Sequence, residues 1–147
     1  MILGTGAAAL AGLIIVAASV RADRIMAVPH WRLLAGNTTM SMITIMIGSI
    51  LVQLPQTPSA LGAELMTLNL VCGILLPGRV IVYVLRKRAD LSLHVPAIAA
   101  LLYALAGAGG LSLLLHRGGG MYLTTAAYLA YLPLGVLNAY KLLLPKF

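Results

Sequence analysis

Five stretches of the chain are too long and too apolar to be covered in water, and little lies between them from which a water-facing surface could be built. They run approximately over 2–20, 33–54, 61–85, 95–115 and 121–143. Crossing a hydrocarbon layer of about 30 Å takes roughly 20 helical residues, each adding about 1.5 Å. In lipid every backbone N–H and C=O must be satisfied within the protein, which a helix does by itself. The sequence therefore predicts an all-α fold, a polytopic transmembrane helix bundle of five helices forming a single integral membrane domain over 1–147. Composition agrees where it matters. Only 9% of the residues are charged and mean hydropathy is +1.02, whereas a soluble domain carries about a quarter charged residues. The lipid bilayer is the expected solvent and the first partner.

The basic residues fall on one side of the expected spans. Arg21, Arg24 and Arg32 lie between the first and second, Arg86, Lys87 and Arg88 between the third and fourth, and Lys141 and Lys146 close the chain. Arg117 is alone in the remaining connections, and Arg79 lies within the third run. Cytoplasmic loops retain an excess of Lys and Arg, so the N-terminus is expected outside and the C-terminus in the cytoplasm, in a plasma (inner) membrane of bacterial type. Ala17-Ala18-Ser19 at the end of the first run is the kind of sequence signal peptidase accepts. No basic residue precedes that run, however, so it reads as a retained first helix. A net charge of +7 also raises the question of nucleic acid. The charges are dispersed between apolar runs instead of gathered beside stacking aromatics, so no nucleic-acid partner is expected.

In lipid, helices gain nothing by hiding apolar surface from one another, so small residues that admit close backbone approach mark the packing faces. Gly4, Ala8 and Gly12 recur at four-residue spacing on the first helix, and Ala100, Ala104, Ala108 and Ser112 on the fourth. Either row is a seam within the bundle or a docking face for another membrane subunit or a second copy in a homo-oligomer. The glycine-rich stretch 106–110 reads as close packing in preference to a bed for a flat cofactor. Tyr128 and Tyr131, deep in the fifth run, need hydroxyl partners, and Asn37, Thr38, Thr39 and Ser41 are expected to bond backbone carbonyls.

The third run carries most of the polar interest. Glu64 and Arg79 stand within reach of the headgroups and can snorkel, but fifteen residues at ~100° each also leave them ~60° apart on one broad face. With Asn69 they form a candidate polar path or partner contact. Pro77 is a candidate helix kink, because it cannot donate to the Gly73 carbonyl. No nucleophile stands with a base, no carboxylates pair, and the lone Cys72 excludes a multi-cysteine metal site, so no enzyme activity, metal or cofactor is expected. His30, His94 and His116 lie at helix ends, poor positions for a haem. The sequence thus points first to an accessory or structural subunit of a larger membrane complex. The alternative is a small oligomeric transporter or channel using Glu64, Asn69 and Arg79.

Overall fold

The computed structural model describes residues 2–20, 23, 27, 29–87 and 94–143. Among these residues all regular structure is helical. The helices are α1 (Ile2–Val20), α2 (Pro29–Leu51), α3 (Pro58–Lys87), α4 (His94–Leu114) and α5 (Gly120–Leu143). Four of them contain segments long and apolar enough to cross a membrane: Trp31–Leu51, Pro58–Tyr83, Pro96–Leu114 and Gly120–Lys141. In α1 the apolar helix is described over Gly4–Val16, shorter than these. The chain has the architecture of a multi-pass integral membrane protein.

Local chemistry explains where the helices begin and end. α2 and α3 each open on a proline, which suits the first turn because its missing N–H would have no intrahelical partner there. Thr57 caps α3, its Oγ1 accepting from the Ala60 N–H at 3.3 Å. At the end of α2, Gln53 Nε2 donates to the Ser49 carbonyl at 2.8 Å and Gln56 Nε2 to the Leu51 carbonyl at 3.0 Å, which meets acceptors the helix leaves open. α4 ends in a left-handed turn at His116, with φ of 55°. The His116 N–H bonds the Leu113 carbonyl at 3.1 Å and the Arg117 N–H bonds Ser112 at 2.8 Å. This is the hydrogen-bond pattern of a glycine cap, made here by a histidine.

The helices run up and down. α3 and α4 make the most extensive contact, and α2 and α5 lie centrally, each touching three others: α2 touches α1, α3 and α5, and α5 touches α1, α2 and α4. Contacts such as Gly48 with Tyr128 and Met42 with Gly135 make α2 and α5 antiparallel, as Gly62 with Gly110 and Gly73 with Tyr103 do for α3 and α4. The helix ends that carry Arg32, Arg79, Arg86 and Lys141 consequently meet at one end of the bundle, with Arg117 at the other.

Ile14, Met42, Ile45 and Leu65 are buried as in a water-soluble domain, but the rest of the interior and the outer surface are unlike one. The interior holds Ala7, Ala106, Ala127 and Ala139 together with Thr38, Ser41, Thr44, Asn69, Thr124 and Asn138. Large aliphatic side chains point outward, among them Ile74, Leu85, Leu101 and Leu137, each more than half exposed. In water this surface would be a large aggregation-prone patch. Against lipid tails it is the ordinary outer face of a helix bundle.

Candidate functional site

The polar residues of the interior form a connected seam. On α2, the Thr38, Ser41 and Thr44 hydroxyls each bond the carbonyl four residues back, at 2.8–2.9 Å. From that face, bonds reach the neighbouring helices. The Tyr103 hydroxyl of α4 donates to Ser41 Oγ at 3.1 Å, Asn138 Nδ2 of α5 donates to Thr38 Oγ1 at 3.1 Å, and Thr44 Oγ1 lies 3.3 Å from Cys72 Sγ of α3. Tyr131 donates to the Ala99 carbonyl at 2.7 Å, its ring tilted 58° against Tyr103 at a centroid distance of 5.0 Å. Asn69 Nδ2 donates both to the Leu65 carbonyl at 2.8 Å and to the Tyr128 hydroxyl at 3.1 Å. The Leu65 carbonyl fixes the orientation of that amide, since reversal would set two oxygens against each other. Among the described residues the buried Oδ1 atoms of Asn37, Asn69 and Asn138 have no hydrogen-bond partner.

Glycines set the spacing around this seam. A Cβ on Gly62 would lie 2.5 Å from the Leu114 nitrogen, and one on Gly110 would lie 2.6 Å from the Met66 nitrogen, so α3 and α4 touch backbone to backbone. Gly109 and Gly120 play the same part between α4 and α5, where Thr124 Oγ1 also bonds the Gly120 carbonyl at 3.1 Å. Gly48 admits the Tyr128 hydroxyl against the backbone of α2. Within the glycine-rich stretch 106–110, Gly109 and Gly110 are used for packing, whereas Ala108 is exposed.

The residues singled out in the sequence are dispersed. Asn69 is 1% exposed and belongs to the interior, whereas Glu64 and Arg79 are exposed on the outside of α3, so the three do not line one channel within the chain. Pro77 is buried inside α3, and the helix continues through it. Gly4 meets Ser49, a Cβ there lying 2.9 Å from the serine Cβ, but Ala8 is exposed and Gly12 has nothing within 4 Å. The packed face of α1 is instead Gly4, Ala7 and Ile14, with Leu10 and Ala11 partly buried. Ser112 is drawn into the cap of α4, 3.1 Å from the Arg117 carbonyl. His116 Nε2 lies 3.1 Å from Ser59 Oγ, and among the described residues no three His, Cys, Asp or Glu side chains gather as metal ligands. Arg21, Arg24, Arg88 and Lys146 lie outside the described residues, as do the side chains of His30 and Lys87.

Ala100, Ala104 and Ala108 do share a place. With Gly73 and Gly107 they line an outward-facing apolar groove of about 450 Å³ between α3 and α4, walled by Met66, Leu70, Ile74 and Leu111. Asn69 and Tyr103 stand at its floor, where the groove meets the polar seam. No family model, curated protein or solved structure matches the chain. The site must be read from its own chemistry.

Three features were not anticipated from the sequence. The 3-3-4 spacing of Thr38, Ser41, Thr44 and Gly48 defines one polar face of α2, and Thr124, Tyr128, Tyr131 and Asn138, at steps of 4, 3 and 7, define another on α5. Both rows were visible as helical periodicity. Pro133 is a second proline within a helix, in α5. The pairing of Asn69 with Tyr128 had no signal in spacing, because it joins residues 59 apart on different helices.

Proposed function

We propose that this protein is a non-catalytic subunit of a larger membrane assembly. It would cross the bilayer five times, α1 included, with its N-terminus outside and its C-terminus in the cytoplasm. The observation that carries the reading is the Ala100-Ala104-Ala108 groove. A small-residue row that the chain's own helices leave uncovered is a surface against which another transmembrane helix can pack closely. The interior supports the non-catalytic part, since its polar groups are hydroxyls and amides bonded to backbone carbonyls and to one another, and among the described residues Cys72 stands beside Thr44 and no base. The gathering of Arg32, Arg79, Arg86 and Lys141 at one end supports the orientation.

Blue-native electrophoresis after mild solubilisation tests the assembly. Wild type is expected to migrate with other membrane chains, and Ala104→Phe, which fills the groove from an exposed position, is expected to release it. A wild-type chain that migrates as a lone monomer refutes the proposal. The second reading, a small oligomeric transporter, draws on the polar seam and on the outward placement of Glu64 and Arg79, which a neighbouring copy could enclose. It predicts flux in liposomes that falls when Arg79 is replaced by Leu.

A further inference from the structure

A second groove, of about 180 Å³, lies between α2 and α3 at the basic end of the bundle. Its walls carry Arg32 and Asn37 from α2 and Arg79 from α3, with Leu33 beside Arg32 and Met40 and Leu76 forming the apolar lining deeper in the bundle. Contact between Thr44 and Cys72 fixes the register of these antiparallel helices. Seven residues further toward the basic end on each helix, Asn37 comes level with Arg79. Arg32 lies five residues beyond Asn37, about 7.5 Å of helix rise nearer the headgroups. The two guanidinium groups therefore address one groove from different depths and opposite walls. None of the residues lining it is acidic, and among the described residues neither arginine has an ion-pair partner.

We infer that this groove binds the phosphate of an anionic phospholipid. Two arginines on separate helices offer planar, multidentate donors to phosphate oxygens, a recognition that depends on geometry as well as charge. Basic pockets between membrane helices at the headgroup level bind anionic headgroups on the same principle. Met40 and Leu76 continue the groove into the apolar layer, where the proximal part of an acyl chain lies. A free phosphate has nothing to place against them. Gly36 keeps the wall open, with nothing within 4 Å of where a Cβ would stand. This site is on a different face from the α3–α4 groove and does not depend on what occupies that one.

Native mass spectrometry of the full chain released from detergent, titrated with phosphatidylglycerol or phosphatidylcholine, tests the assignment. One phosphatidylglycerol is expected to be retained per chain in preference to phosphatidylcholine. Arg32→Gln and Arg79→Gln are each expected to weaken that retention about ten-fold, as loss of a charge-assisted hydrogen bond would. Arg117→Gln, at the opposite end, is expected to leave it unchanged. Both groove arginines are exposed, and equal unfolding midpoints of the lipid-free variants establish that binding alone has changed. An equal effect of Arg117→Gln would reduce the attraction to general basicity and overturn the site. Equal retention of the two lipids would overturn the role of net charge. Displacement of the lipid by millimolar inorganic phosphate, irrespective of acyl chains, would assign the groove to a free anion and overturn the lipid.

Discussion

Replacing Gly110 with alanine tests whether α3 and α4 are held at backbone contact. The added Cβ would stand 2.6 Å from the Met66 nitrogen, 2.9 Å from the Gly62 oxygen and 3.0 Å from the Met66 Cα. All three are backbone atoms, so no side chain can swing aside. The closest approach falls short of the ordinary contact of 3.4 Å by 0.8 Å, and the helices must part by about that much locally. A gap of ~0.5–1 Å forfeits a quarter to a half of each dispersion contact across it, and overpacking of this kind costs about 1–3 kcal/mol. Opposing this, alanine is favoured over glycine within a helix by about 1 kcal/mol. The net expectation is a loss of about 0–2 kcal/mol, the balance of those two opposing terms. Gly12→Ala supplies the opposite sign: its Cβ meets nothing within 4 Å, so only the helix preference acts, a gain of about 0.4–1 kcal/mol. Reversible unfolding in mixed micelles on addition of dodecyl sulfate, followed through the single Trp31, measures both. Equal effects of the two substitutions, or a Gly110→Ala that stabilises, would refute the backbone contact.

Asn69→Leu and Tyr128→Phe should couple in a double-mutant cycle, by about 0.6 kcal/mol and at most about 1.7 kcal/mol, the range of hydrogen bonds between membrane helices; additivity in the same unfolding assay would count against their bond. Because His116 holds φ of 55°, His116→Val is expected to cost about 1–2 kcal/mol. His116→Gly should be close to neutral, relief of the turn offsetting the lost contact with Ser59, and a tolerated valine would contradict the left-handed cap. In a Cys72→Ser background, a cysteine replacing Arg117 should react with an impermeant maleimide in intact cells, and one replacing Arg32 only after permeabilisation; the reverse pattern inverts the proposed orientation.

Helix existence was legible in the sequence because length and apolarity are properties of one segment. α2 begins and ends earlier than its apolar run, since Pro29 can open a helix through His30, Trp31 and Arg32, and the turn at 52–54 closes it before the hydrophobicity is spent. α3 reaches past its apolar run at both ends, from the Thr57 cap to Lys87. Partnership was less legible. Small residues at four-residue spacing announce that something can come close, but they do not say what. Gly62 and Gly110 meet each other, Ala104 and Ala108 face outward, and Gly12 meets nothing within the chain, although all are small residues in apolar helices. The angle between Glu64 and Arg79 was sound as geometry, and Asn69 departed from it because 140° of rotation from Glu64 carries it to the interior face.

The way α2 handles its hydroxyls bears on how such a chain is made. Thr38, Ser41, Thr44 and Ser49 all bond carbonyls of their own helix. None of them waits for a neighbour before it can leave water. These four hydroxyls therefore do not oblige the segment to find a partner before it settles in lipid. Bonds from Tyr103 and Asn138 are then added when the later helices arrive, as sorting contacts between units already inserted. On this account the hydroxyls of α2 make no demand on a partner not yet translated.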